Sequence, residues 1–336
     1  MDFLDIKSRL SLRDKVSQKI KVLSNSFVDK ETGEIDTDKR KYYNKLSESI
    51  SNCHSYIEIA VCKDCGSRYL NKTFCCDSKF CPICSRKRYL KYLSFLYPIF
   101  EKIVNQKKYV CMLNLTIKNT KTLKEGKEKL FEAWREMTHE NKLNAKLFSF
   151  HITGGLKCFE TTYNIEDKTY HPHFHILIVK EKFSKDFELI KTLWEQACQK
   201  VFNTTDKVGS IYIESIKDNK NKNVMFMQDK NSIINGVLEC IKYITKFSAK
   251  DENGFQKSIF EVYDNEILIE MIYNFKGLRA LSTFGCLYGY KKQLDEIKAE
   301  EDEEELKNRV CKVCGCSEFY YENEIITKID NLLSFD

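Results

Sequence analysis

Three of the chain's six histidines fall within five residues, His171-Pro172-His173-Phe174-His175. Side chains on a strand alternate faces, so the three imidazoles share one face while Phe174, Ile176 and Ile178 share the other. Two imidazoles at i and i+2 can hold one divalent cation at about 2.0–2.2 Å per bond. A third ligand follows if this strand forms a hairpin with the segment before it. A turn centred between Glu166 and Asp167 sets Glu160 opposite His173, on the same face. A loop one residue longer or shorter turns Glu160 away, which leaves His171 as the competing third ligand. Imidazoles with a carboxylate suit Mn²⁺ or Mg²⁺.

A second constellation is Leu238-Glu239-Cys240-Ile241-Lys242-Tyr243-Ile244-Thr245-Lys246. Glu239, Tyr243 and Lys246 stand at i, i+4 and i+7, on one helical face. A tyrosine phenol with a pKa near 10 attacks poorly unless a cation helps it, and Lys242 and Lys246 can supply one. Glu239, one turn away, can act as a base for a water. On these residues alone an ordinary amphipathic helix remains the preferred reading.

The third signal is cysteine. Fifteen are present, an odd number, six of them in CxxC pairs; with no apolar leader at the start, this favours a cytoplasmic chain binding metal through thiolates over a disulfide scaffold. Cys62-x2-Cys65 and Cys81-x2-Cys84 fit a four-thiolate zinc site, with Cys76 able to displace a member of the first pair. Arg86-Lys87-Arg88 follows directly and suits DNA phosphates. Cys311, Cys314 and Cys316 offer a possible second Zn²⁺ site that needs a ligand from elsewhere.

Elements of an α+β protein must carry these groups. The pattern predicts a strand at 109–118, a helix at 123–139, strands at 148–163 and 170–179 around a polar turn, a helix capped by Ser184, a strand at 210–216, a loop at 217–231 and a helix at 233–247. That order, β-α-β-β-α-β-α, suits an antiparallel sheet with packed helices in a ferredoxin-like manner. The apolar run 89–104 reads as a helix with Pro98 as a kink or break. Four segments result: 1–52, an N-terminal helical segment; 53–105, a zinc module and connecting helix; 106–290, the domain of the histidines and tyrosine; and 291–336, an acidic linker with the last cysteines.

The 336 residues are 42% hydrophobic and 31% charged, which excludes wholesale disorder, and no run is apolar enough to span a membrane. The formal charge of +6 is segregated: Asp295–Glu305 holds eight acids and one lysine, leaving a basic remainder suited to nucleic acid.

LeuAsnLeuThr (113–116), HPHFH (171–175) and ECIKYITK (239–246) occur in an order that resembles the three motifs of HUH endonucleases, specifically single-tyrosine rolling-circle replication initiators of small Gram-positive plasmids. The stretches FETTYN (159–164) and KGLRALSTFG (276–285) are also similar to that family, as is the spacing of Cys76, Cys81 and Cys84 to its N-terminal cysteine block. The resemblance covers roughly residues 60–290. It implies an HUH fold, metal on His173 and His175, Tyr243 as nucleophile and Glu239 as the activator of the terminating water. It further implies a 5′-phosphotyrosine link, a 3′-OH primer, double-stranded origin DNA with a single-stranded or hairpin nick site, and a host helicase and polymerase as partners. Two rivals are a non-catalytic zinc-dependent DNA-binding regulator, which leaves the histidines and Tyr243 unexplained, and an HUH transposase or relaxase.

Overall fold

The computed structural model describes residues 3–27, 36–138, 152–181, 187–245, 248–250, 253–288, 310–311 and 313–325. The chain divides into two compact units, Met1–Arg88 with Lys292–Asp336, and Tyr89–Lys291. The acidic run, Ser184 and Lys246 lie outside the described residues. No helix among those described is long and apolar enough to cross a membrane.

In the first unit, helices Phe3–Ser24 and Thr37–Ser51 bury Val16, Ile20 and Leu23 on one side and Tyr43 and Ile50 on the other. Asp36 caps the second helix, its carboxylate accepting from the Lys39 amide at 3.0 Å. A three-stranded antiparallel sheet follows, built from β1 (Tyr56–Cys62), β2 (Arg68–Thr73) and a strand from the far end of the chain, β13 (Phe319–Ile325). Its order is β13-β1-β2.

The helix expected from residue 89 starts at Pro82 and runs to Asn105. Proline is well placed in a first turn, where its missing N–H is no loss. Pro98, expected to kink or break this helix, lies inside it without ending it.

The second unit is organised on an antiparallel sheet of β3 (Tyr109–Ile117), β4 (Gly154–Asn164), β5 (Thr169–Lys180), β6 (Gly209–Glu214) and β12 (Leu281–Gly285), in the order β12-β4-β5-β3-β6. Four of these, β4-β5-β3-β6, interleave as a split β-α-β unit does. The stretch expected to be loop carries three short strands: β7 (Ile216–Lys217) pairs β8 (Asn223–Val224), and β9 (Phe226–Met227) pairs β3. Two more, β10 (Ser248–Lys250) and β11 (Gln256–Ser258), form a hairpin of their own. On one face of the sheet Phe159 and Phe174 pack against Phe131 of helix Leu123–Thr138, and Phe159 also meets Phe275 of helix Asn265–Phe275. Trp194, from helix Phe187–Phe202, donates to the Thr116 carbonyl at 2.9 Å. Helix Lys230–Thr245 packs on the opposite face, the one that carries the histidines.

Candidate active site

The β4–β5 hairpin sets the register. Asn164 Oδ1 accepts from the amides of Glu166 and Asp167 at 2.9 and 3.2 Å, and Lys168 takes a left-handed conformation at φ 50°. This four-residue loop closes on the pair Asn164–Thr169 and brings Glu160 directly opposite His173. Strict alternation then places two rows of side chains on one face. The first is Glu160, His173, Thr116 and Ser210; the second is Cys158, His175, Asn114 and Tyr212. LeuAsnLeuThr therefore contributes Asn114 and Thr116 to the histidine face.

Glu160 Oε2, His173 Nε2 and His175 Nε2 converge. The carboxylate oxygen lies 3.0 Å from His173 and 2.6 Å from His175, and the two imidazole nitrogens are 3.2 Å apart. Adjacent ligands of an octahedral cation with bonds of about 2.1 Å stand about 3.0 Å apart, so three corners of such a site are in place. His171 does not join them: its Nδ1 pairs with Asn119 Oδ1 at 2.8 Å. Between the alternatives left by the sequence, the geometry gathers Glu160.

His173 is held from behind: its Nδ1 donates to the His171 carbonyl at 3.1 Å, which aims Nε2 at the site. Burial works against charge on Glu160, yet hydrogen bonds with His173 and His175 keep its carboxyl below the ordinary range. Burial likewise opposes protonation of His173, and Glu160 reverses this, raising the imidazole above its usual value. The Glu160 carboxylate gives the cluster the negative charge that a cation needs.

Glu214 went unnoticed in the sequence. Its Oε2 accepts from Asn114 Nδ2 at 2.8 Å and lies 3.8 Å from His175 Nδ1. The signal available was its place on the short alternating strand expected at 210–216, which the structure ends at Glu214.

Helix Lys230–Thr245 supplies the second constellation. At Gly236 an added Cβ would collide with Met227 and lie 3.7 Å from Leu177 Cδ2, so the lack of a side chain lets the helix settle closely on the sheet. One turn on, the Cys240 thiol donates to the His175 carbonyl at 3.6 Å. The helix rises about 6 Å in four residues and the strand about 6.6 Å in two. The next helical turn, which includes Tyr243 and Ile244, thus comes level with His173. Lys242 pairs with Glu239 one turn before it. The Tyr243 side chain, like Lys246, lies outside what the structure describes.

The cysteines regroup. Cys62 and Cys65 do not share a site with Cys81 and Cys84, as the nearest-neighbour spacing suggested. Cys81 and Cys84 gather with Cys53 and Cys76, while Cys62 and Cys65 gather with Cys311 and Cys314. The cause is β13: its pairing with β1 brings the last knuckle beside the first. Cys316 is not one of the four grouped sulfurs, and its sulfur accepts from the Glu318 amide at 3.2 Å. Hydrogen bonds among the four sulfurs lower the Cys84 thiol and raise those of Cys53, Cys76 and Cys81.

Of the three basic residues after Cys84, Arg88 braces the preceding turn by donating to the Asp77 carbonyl at 2.7 Å. Lys87 is exposed, with Nζ 3.4 Å from Cys75 Sγ, and Arg86 is half-buried.

A model of the replication-protein family Rep_1 matches residues 67–322. The chain belongs to this family. Three relatives are each called "Protein rep". One from Bacillus amyloliquefaciens is 26% identical over 298 residues, which cover 81% of this chain and 82% of the relative. One from a Bacillus species is 31% identical, covering 46% of this chain and 52% of the relative. One from Streptococcus pneumoniae serotype 2 is 28% identical, covering 53% and 56%. The chain thus spans most of the first relative and about half the length of the other two. No solved structure matches it. Within this replication protein, the matched region takes in the Glu160–His173–His175 cluster and the helix of Tyr243, and family membership agrees with the resemblance drawn from the motifs.

Proposed function

We propose that the protein initiates rolling-circle replication of a plasmid by cutting one strand of its origin through attack by Tyr243. The observation that carries this reading is the convergence of Glu160, His173 and His175 on the sheet face against which the helix of Tyr243 packs. A bound Mn²⁺ or Mg²⁺ would polarise the scissile phosphate. Glu160, His173 and His175 would hold that ion and leave its remaining positions open to the phosphate.

The Tyr243 oxygen forms a bond to phosphorus as the bond to the 3′-oxygen breaks. The phenolic proton passes to solvent water, and the departing 3′-oxygen takes up a proton from solvent to become the free 3′-OH that a host polymerase extends. Lys242 and Lys246 would favour the phenolate by charge. Glu239 would take a proton from the water or hydroxyl that ends the cycle, and the retained 5′-phosphotyrosine makes rejoining the reverse of cutting. In-line attack requires a single-stranded or extruded nick site.

Cys53, Cys76, Cys81 and Cys84 would bind a structural Zn²⁺ at the start of helix Pro82–Asn105, presenting the exposed Lys87 to DNA. A host helicase would be needed to open the duplex.

The test is incubation of the full chain with single-stranded hairpin origin oligonucleotides and Mn²⁺. A covalent protein–DNA adduct should survive denaturing electrophoresis and disappear in Tyr243→Phe. Absence of an adduct on every hairpin tried, with DNA binding retained, would instead favour a zinc-dependent DNA-binding regulator.

A further inference from the structure

Two stretches 249 positions apart in the sequence carry the same pattern, Cys62-Lys-Asp-Cys65-Gly66 and Cys311-Lys-Val-Cys314-Gly315. They also share a backbone. The Gly66 amide donates to the Cys62 carbonyl at 3.0 Å, and the Gly315 amide to the Cys311 carbonyl at 2.8 Å. The Cys62 amide donates to the Ser67 carbonyl at 2.9 Å, and the Cys311 amide to the Cys316 carbonyl at 2.7 Å. Both glycines are left-handed, at φ 73° and 77°, a conformation a side chain would strain. Each loop therefore turns its two sulfurs the same way.

The loops face one another. Cys62 Sγ lies 3.4 Å from Cys314 Sγ, and Cys65 Sγ lies 3.5 Å from Cys311 Sγ. These separations far exceed a disulfide bond of about 2.05 Å. They approach the roughly 3.8 Å expected between sulfurs around a tetrahedral ion with Zn–S bonds of about 2.3 Å. Contacts beyond the sulfurs hold the loops together: the Lys63 amide donates to the Glu318 carbonyl at 3.0 Å, the Lys63 ammonium pairs with the Glu318 carboxylate at 2.9 Å, and the Tyr69 hydroxyl lies 3.2 Å from Cys311 Sγ.

We infer that Cys62, Cys65, Cys311 and Cys314 bind one Zn²⁺ that clasps β13 to β1, making a single ribbon from segments on either side of the Tyr89–Lys291 unit. The site is distinct from Cys53, Cys76, Cys81 and Cys84, and half of it precedes residue 67, where the family match begins. A two-residue hairpin does not build it. The ribbon is completed only after the whole second unit has been synthesised, and loss of zinc should free the C-terminal segment while the Glu160–His173–His175 cluster keeps its own elements. The inference does not depend on strand cutting.

The test is zinc analysis with cysteine alkylation mapped by mass spectrometry on the full chain. The native protein should yield two zinc ions, and Cys311→Ser with Cys314→Ser should yield one. In the zinc-loaded native chain, Cys62, Cys65, Cys311 and Cys314 should resist alkylation together, and all four should react once EDTA removes the metal. The exposed Cys286 serves as the reactive standard in both states. If Cys311 and Cys314 react as fast as Cys286 in the zinc-loaded native chain, the clasp is wrong, whether or not the double variant folds. An unchanged zinc content in a folded double variant would also overturn it.

Discussion

Glu160 stands directly across the β4–β5 ladder from His173, with its Oε2 3.0 Å from the imidazole Nε2. This pairing depends on one loop length and one strand alternation, and it decides which residue completes the ligand set. Removing the carboxylate charge while keeping its size, in Glu160→Gln, should weaken Mn²⁺ binding by at least the roughly 10–100-fold that loss of an outer-shell partner alone costs. His171→Ala should leave it within about threefold, because that ring is turned to Asn119. Calorimetric titration with Mn²⁺ separates the two outcomes, and the reverse order would return His171 to the site.

The contact at Gly236 makes a different kind of prediction. Leu in its place must displace Met227 or lift the helix from Leu177, at a stability cost of about 1–3 kcal/mol for an overpacked contact. Mn²⁺ binding should persist, since Glu160, His173 and His175 lie on β4 and β5. Adduct formation should fall tenfold or more as Tyr243 moves out of level with His173. Parallel measurement of metal affinity and adduct yield checks this; a variant that folds and cuts normally would deny the helix its positioning role.

The central hairpin and its carboxylate were legible from the sequence because a period of two and a polar turn are local features. Glu160, His173 and His175 were found together for that reason. Cysteine pairing was not, because CxxC spacing says which two thiols share a loop and nothing about which loops meet. Cys53 stands alone after a helix, and Cys311 reaches Cys65 only through the β1–β13 ladder. Glu214 is equally nonlocal, since its relation to His175 runs through Asn114 on an intervening strand.

Lys157 gives a pH prediction. It is buried in a cage of Phe131, Trp134 and Phe174, its ammonium 4.4–4.9 Å from their ring centroids. Burial, aided by the charge of Arg135, lowers it to about 7 from its ordinary 10.5. Because the folded value is depressed, the unfolded chain binds the extra proton between these limits. The cost to stability is therefore present in full below pH 7 and is relieved as pH rises toward 10.5, by up to about 1.4 kcal/mol per unit. Lys157→Met should be the more stable protein at pH 6, with the difference shrinking steadily at higher pH. Urea unfolding of both proteins across this range measures it, and a constant difference would contradict the depressed value.

Tyr212 leads to the last prediction. It lies on the same face as His175 and Asn114, at the far side of β3, and 60% of its surface is exposed. A large aromatic ring open to solvent on the sheet face of the candidate metal site is the arrangement on which an unstacked base can rest. Tyr212→Ala should weaken single-stranded DNA binding by about 1–3 kcal/mol, the usual worth of one stacked base. Tyr212→Phe should retain most of the affinity, because stacking needs the ring and not the hydroxyl. The phosphate-dominated salt slope should stay the same in both variants, since no cationic contact is removed. Fluorescence anisotropy at several salt concentrations distinguishes this from a general loss of fold, and equal losses in Ala and Phe would assign the effect to the hydroxyl instead.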